Sequence, residues 1–215
     1  MTVVEDRPAA SATAATDFQA ARRAMIDSQL RVSGVNTPGV LAAFAAVARE
    51  DFVPAERRAV AYADRAVPLA DGTVLAPALT HGQMLEAAAP TGADTVLVIA
   101  TNGYLAALTG KLAGNVTQFD SISDAYTVFT MLTLKPDPAP LPFSLILIDG
   151  AVEVLPASLA DLLTDDGRVV TGLAERGVTR LATARKANGK VIATALGDAD
   201  FAILPDYAAP KAWSF

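Results

Sequence analysis

The chain contains no cysteine and a single histidine, His81, among its 215 residues. Disulfides, thiolate nucleophiles, iron–sulfur clusters and Cys/His zinc sites are thereby excluded, and no metal-ligand set can be read from the sequence. Positive charge is scarce as well: 17 Lys and Arg against 23 Asp and Glu leave a net charge of −6. No run of Lys or Arg offers a footprint for phosphate backbones or anionic lipid, so nucleic acid and membrane are not expected as partners. Long apolar runs are missing too. The longest uncharged stretch of apolar character, residues 95–110, carries Asn102, Gly103 and several Thr, and falls short of the ~20 apolar residues that span a bilayer. Residues 1–16 have neither the basic nor the apolar region of an export signal, and are expected to form a disordered tail on a cytoplasmic protein.

What is present is core material. The sequence is 52% hydrophobic and 19% charged, with a mean hydropathy of +0.36, a composition that folds as a globule. The expected ordered unit is one domain over residues 17–215, with a helical region at 17–90 and an α/β sheet at 91–215. A first helix begins at Asp17, a good N-cap, and closes at Gly34. A second starts with Thr37 and Pro38 and runs through Val47. Residues 49–77 have mixed character with a short extended piece at 66–69, and a third helix covers 79–89.

From Asp94 the pattern alternates. Strands are expected at 95–100, 116–119, 143–148 and 168–173, with helices at 104–113, 121–134 and 156–163 between them, the second stopped by Pro136, Pro138 and Pro140. This is a parallel sheet wound with helices. Segments 178–186 and 190–196 flank Asn188-Gly189, a pair that favours a tight antiparallel hairpin, and Phe215 would end a last strand.

In such sheets the ligand lies beyond the carboxyl ends of the strands, at the first strand-to-helix turn. That turn is Ala100-Thr101-Asn102-Gly103-Tyr104, and Asp120 follows the second strand, placed to hold the hydroxyls of an adenosine ribose. No G-x-G-x-x-G is present, which disfavours a nicotinamide-type oxidoreductase.

The phrases DSQL (27–30), REDFVP (49–54), AYADRAVPL (61–69), VLVIATNGYLAAL (96–108), LILIDGAVEVLP (145–156) and DDGRVV (165–170) resemble the protein-L-isoaspartate O-methyltransferase family over about residues 18–215. The resemblance implies a Rossmann-like class I methyltransferase sheet, an S-adenosylmethionine cofactor at Thr101, Asn102, Gly103, Tyr104 and Asp120, and methylation of the carboxylate of damaged aspartyl residues in proteins. Against the family's loop, roughly E-I-G-x-G-x-G-Y, this chain keeps one glycine, Gly103, is one residue shorter and has Val98 in place of the acid. Ala100 and Asn102 put side chains where glycines would let a ligand approach. Ala76 stands at the hydroxyl position of the family's Ser-bearing segment. Only 22 residues separate Asp120 from Phe143, too few for the additional edge strand and helix of the family, so one strand fewer is expected.

These departures favour a pseudoenzyme: a non-catalytic binding module with a degenerate cofactor loop that engages a protein partner. The alternative is an active S-adenosylmethionine-dependent carboxyl methyltransferase acting on isoaspartyl residues of protein substrates. Its nucleophile is the substrate's own carboxylate, so scarcity of His and Cys does not disqualify it. Each candidate residue has two readings. Asp120 either binds ribose or caps the following helix. Asp149 is a general base or orienting group, or the polar turn after a strand. Asp64 orients a loop over the cleft, or caps a helix or pairs with Arg65 or Arg57. His81 is structural or catalytic, Tyr104 packs or stacks on a ligand, and Trp213 and Phe215 close the core or serve an interface.

Overall fold

The computed structural model describes residues 17–133 and 142–209. The expected tail, the end of the helix at Leu134 with its prolines, and Trp213 and Phe215 lie outside the described residues.

Helix α1 (Phe18–Met25) opens with the Asp17 carboxylate accepting from Ala20 N at 3.0 Å, the expected cap. It runs on through a π-helical stretch, Ile26–Leu30, and a 3-10 turn, Arg31–Ser33, to Gly34 at φ +91°. Helix α2 (Pro38–Ala46) has proline at its first position. The Thr37 hydroxyl does not cap it, however, but donates to Glu86, which also accepts from the Asn36 and Thr37 amides. After two 3-10 turns (Arg49–Phe52, Ala55–Val60), β1 (Val67–Pro68) pairs antiparallel with β2 (Val74–Leu75), and helix α3 (Ala78–Ala88) follows.

The main sheet has six strands in the order β4-β3-β5-β6-β7-β8. They are β3 (Thr95–Ile99), β4 (Asn115–Phe119), β5 (Phe143–Val152), β6 (Leu163–Glu175), β7 (Val178–Ala187) and β8 (Lys190–Asp198). The first four are mutually parallel and β7 and β8 are added antiparallel. Helices α4 (Tyr104–Thr109), α5 (Ile122–Thr133) and α6 (Leu159–Leu162) complete the α/β pattern. The fold is the expected Rossmann-like sheet ending in a hairpin, with Asn188 and Gly189 both at positive φ in the turn. Among the described residues no strand lies between β4 and β5, so β4 is a sheet edge.

Side chains alternate across the sheet because successive residues of a strand point to opposite faces. Val96, Val98, Leu145, Leu147 and Val170 pack with Phe44, Leu85, Tyr104 and Leu108 from α2, α3 and α4. Leu97, Ile99, Ile146, Ile148 and Val169 pack with Ile122, Ala125 and Leu159 from α5 and α6. The helical region thus covers one face. It is also clamped by polar contacts: Arg168 of β6 donates to the carbonyls of Ala88 and Ala89 at the end of α3 and to both oxygens of Asp94 at 3.0 and 3.1 Å. Asp94 accepts further bonds from Ser144 and Thr91.

Three expectations on element length need correction. Helix α4 ends at Thr109, whose hydroxyl bonds back to the Leu105 carbonyl, and residues 110–113 tighten into a turn. The helix expected at 156–163 is one turn, because β6 begins at Leu163. Strand β5 continues to Val152, four residues past its apolar run, since Ala151 exchanges bonds of 2.8 Å with Ala202 and Leu204 and the segment after β8 prolongs the pairing.

Candidate functional site

The parallel register fixes the level of the site. Ile99 pairs with Phe119 of β4 on one side and with Ile148 of β5 on the other. The next residues, Asp120 just past the end of β4 and Asp149 within β5, therefore stand at the same height on either side of Ala100, about 10 Å apart across two strand spacings. Above them lies a cleft of about 430 Å³, the position at which open α/β sheets take their ligands. Gly72 to Val74 form one wall, Ile99 to Thr101 the floor, and Ala202 to Tyr207 the opposite wall, with Asp120, Ser121 and Asp149 between them.

Asp120 is exposed and has no hydrogen-bond or ion-pair partner among the described residues. The capping reading does not apply to it. Ser121 takes that task, its hydroxyl accepting from Asp124 N and donating to Asp124 Oδ2 at 3.1 and 2.7 Å. This leaves the Asp120 carboxylate free to accept from a ligand's hydroxyl pair.

Asp149 is not the polar turn after a strand, because β5 runs through it. Its carboxylate accepts from His81 Nε2 at 2.9 and 3.0 Å, with the two side chains 0% and 5% exposed. His81 projects from α3, and its ring lies 5.6 Å from that of Tyr104. Behind the pair is Arg49, fully buried, which donates to the carbonyls of Ala61 and Ala76 and sits 5.0 Å over the Tyr104 ring. Burial lowers the Arg49 guanidinium from its ordinary value, while the fields of Tyr104 and Asp149 act against that shift.

The loop itself is arranged differently from expectation. None of residues 100–103 has positive φ, so this turn does not use the left-handed conformation available to Asn102. Instead Asn102 Oδ1 accepts from Tyr104 N, and Gln118 Nε2 donates to the carbonyls of Ala100 and Asn102. Of the four loop residues expected at a cofactor, Thr101 lines the cleft, whereas Asn102 and Gly103 do not. Tyr104 is a correction: it is fully buried against Phe44 and Phe52 and is unavailable to a ligand. Asp64 is exposed, unpaired among the described residues, and lines a separate groove with Thr80, Thr179 and Asp200.

The residues that the sequence did not single out are Thr73, Ser121 and the 202–207 wall. That wall is held by Tyr207, whose carbonyl accepts from Glu153 N and Val154 N and whose hydroxyl accepts from Ile122 N at 2.9 Å. The Gly150 backbone approaches it so closely that a Cβ there would meet Leu204 side-chain atoms at 2.5–2.8 Å. No local sequence signal reports contacts across fifty residues. The signal that did exist was Gly150 following a strand-end carboxylate.

Comparison with known proteins gives the family and the fold. The family profile of protein-L-isoaspartate(D-aspartate) O-methyltransferase matches residues 20–130. A protein-L-isoaspartate O-methyltransferase of Koribacter versatilis is 33% identical over 202 residues, covering 86% of this chain and 91% of its own. One from Rhodopseudomonas palustris is 32% identical over 193 residues, covering 82% and 85%. Among solved structures, a β-aspartate methyltransferase from Plasmodium falciparum in complex with S-adenosyl-L-homocysteine superposes with a TM-score of 0.63 at 17% identity, over 88% of this chain and 98% of that one. A family profile over half of the chain and relatives at 32–33% identity aligned over most of their length show it: the chain belongs to the protein-L-isoaspartate O-methyltransferase family.

Proposed function

We propose that the protein is an S-adenosylmethionine-dependent carboxyl O-methyltransferase acting on isoaspartyl residues of damaged proteins. The observation that carries this reading is the unpartnered Asp120 carboxylate at the end of β4, in one cleft with Thr101, Ser121 and Asp149. The donor set fits the cofactor. Asp120 would accept from the ribose hydroxyls, the Thr101 and Ser121 hydroxyls offer polar contacts, and Ile99, Ile203 and Leu204 offer apolar wall to the base.

When bound, S-adenosylmethionine supplies an electrophilic methyl group on a sulfonium centre. The substrate carboxylate is ionised at neutral pH, so the protein's task is alignment and exclusion of water rather than proton removal. Arg49 would serve that alignment by tying the Ala61 carbonyl to that of Ala76, which follows β2 and the Gly72 to Val74 wall. In this reading residues 17–215 act as one domain, since residues of the helical region and the sheet share one apolar cluster. The partner is protein, in keeping with the lack of a basic run. Among the described residues no helix is long and apolar enough to cross a membrane, and we place the enzyme in the cytoplasm.

One observation favours a second reading, the non-catalytic binding module. The loop's polar groups are engaged within the protein, by Asn102 to Tyr104 and by Gln118 to two carbonyls. Calorimetric titration with S-adenosylmethionine and S-adenosylhomocysteine separates the two. Micromolar binding, followed by methyl transfer to an isoaspartyl peptide, supports the enzyme. No heat at millimolar ligand overturns it in favour of the module.

A further inference from the structure

The Asp149 carboxylate is nearly enclosed, yet it has one donor among the described residues, the bifurcated His81 Nε2–H. An ionised carboxylate offers about four lone-pair sites, and burying it with so few partners is costly. His81 has no competing acceptor to turn toward: its Nδ1 is buried without a partner. The ring is held by α3 on one side and by Tyr104 on the other, so its geometry is dictated by packing. The other charged group near the pair is Arg49, whose own hydrogen bonds go to the Ala61 and Ala76 carbonyls and not to Asp149. Asp149 is also one of the residues lining the cleft, on the far side of Ala100 from Asp120.

We propose that Asp149 is a charge-reading residue of this cleft, favouring a ligand whose non-nucleoside end is cationic, and that His81 is the positioning residue that fixes its carboxylate. The inference rests on the proposed function and deepens it: a sulfonium methyl donor and its neutral thioether product differ by one positive charge, and Asp149 distinguishes them. Asp120, at the other end, reads hydroxyls common to both and does not.

The test is calorimetric titration of S-adenosylmethionine and S-adenosylhomocysteine into wild type, Asp149→Asn, His81→Gln and His81→Leu at one pH and salt concentration. Loss of one charge interaction in a partly solvated site predicts that Asp149→Asn lowers the affinity ratio of the cationic to the neutral ligand by about tenfold. Affinity for the neutral ligand then changes by less than about threefold. His81→Leu moves the ratio in the same direction, and His81→Gln, which keeps an N–H donor, restores most of it. Because His81 is the sole histidine, its imidazole ¹⁵N resonances need no assignment and give a readout independent of turnover. They shift on adding S-adenosylmethionine in wild type and move less with S-adenosylhomocysteine. Equal weakening of both ligands in Asp149→Asn, or no change in either, overturns the charge-reading role alone. Failure of the wild type to bind either ligand overturns the proposed function and this inference with it.

Discussion

Asp94→Asn probes the clamp between the helical region and the sheet. Asp94 accepts two bonds from the Arg168 guanidinium, at 3.0 and 3.1 Å, and more from Thr91 and Ser144. The Arg168 bonds, with those of Ser144 and Thr91, hold its carboxyl well below the usual carboxylate range despite its burial. An asparagine turns one donor toward the guanidinium and removes the charge. Breaking one side of a buried ion pair costs about 3–5 kcal/mol. Because the Arg168 side chain is 20% exposed and water compensates part of the loss, about 2–3 kcal/mol is expected here. For a chain of this size that lowers Tm by roughly 4–12 °C. The sign with pH follows from the depressed folded value: the charge contributes fully above the unfolded value near 3.9 and is lost as pH falls toward the folded one. Urea unfolding of wild type and variant from pH 7 to pH 3 should show the gap narrowing by about 1 kcal/mol at pH 3. A gap that is constant over this range, or under about 1 kcal/mol at pH 7, would refute the reasoning.

Other outcomes follow from the same contacts. Asp120→Asn should weaken S-adenosylmethionine and S-adenosylhomocysteine alike, by about tenfold each in calorimetry, since a hydroxyl-reading carboxylate does not sense the sulfonium. Gly150→Ala forces Leu204 and the 202–207 wall outward, and is expected to cost about 1–3 kcal/mol in denaturant unfolding while weakening ligand in parallel. Burial and its hydrogen bond to Glu50 push the Tyr62 phenol up to about 12. Stability from this group is complete below the unfolded value near 10 and is lost as pH rises from there through about 12, so ultraviolet absorbance titration should show one late phenol fewer in Tyr62→Phe than in wild type.

The sheet was largely visible in the sequence because its strands are buried on both faces. TVLVI (95–99) and LILI (145–148) are continuous apolar runs, and Asn188-Gly189 can form the tight turn that they do form. Lengths were harder to read. The extension of β5 through Asp149 and Gly150 depends on residues 202–204, and no periodicity within residues 143–152 encodes a partner that far along the chain. The candidate site was legible as a position and not as a set of contacts. Asp120 and Asp149 were identifiable from the strand ends, but the partner of Asp149 is 68 residues away, and Asp120's freedom depends on Ser121 capping α5 instead. Of the two readings of Tyr104, packing holds and the ligand contact that the family resemblance implied does not, because helix geometry turns the ring into the core. The glycine-poor loop was read as a damaged cradle, and its turn is achieved without positive φ by side-chain amides at 102 and 118.

The wall at 202–207 bears on the order in which the site comes into being during synthesis. It follows β8, the last of the described strands, yet it is bonded to β5 through Ala151, Glu153 and Val154 and to the start of α5 through Tyr207. A chain folded only as far as β8 has every described strand of its sheet and both cleft carboxylates, but lacks one side of the pocket. The sheet forms on its own apolar contacts, and the pocket gains its last side only when residues 202–207 close on it.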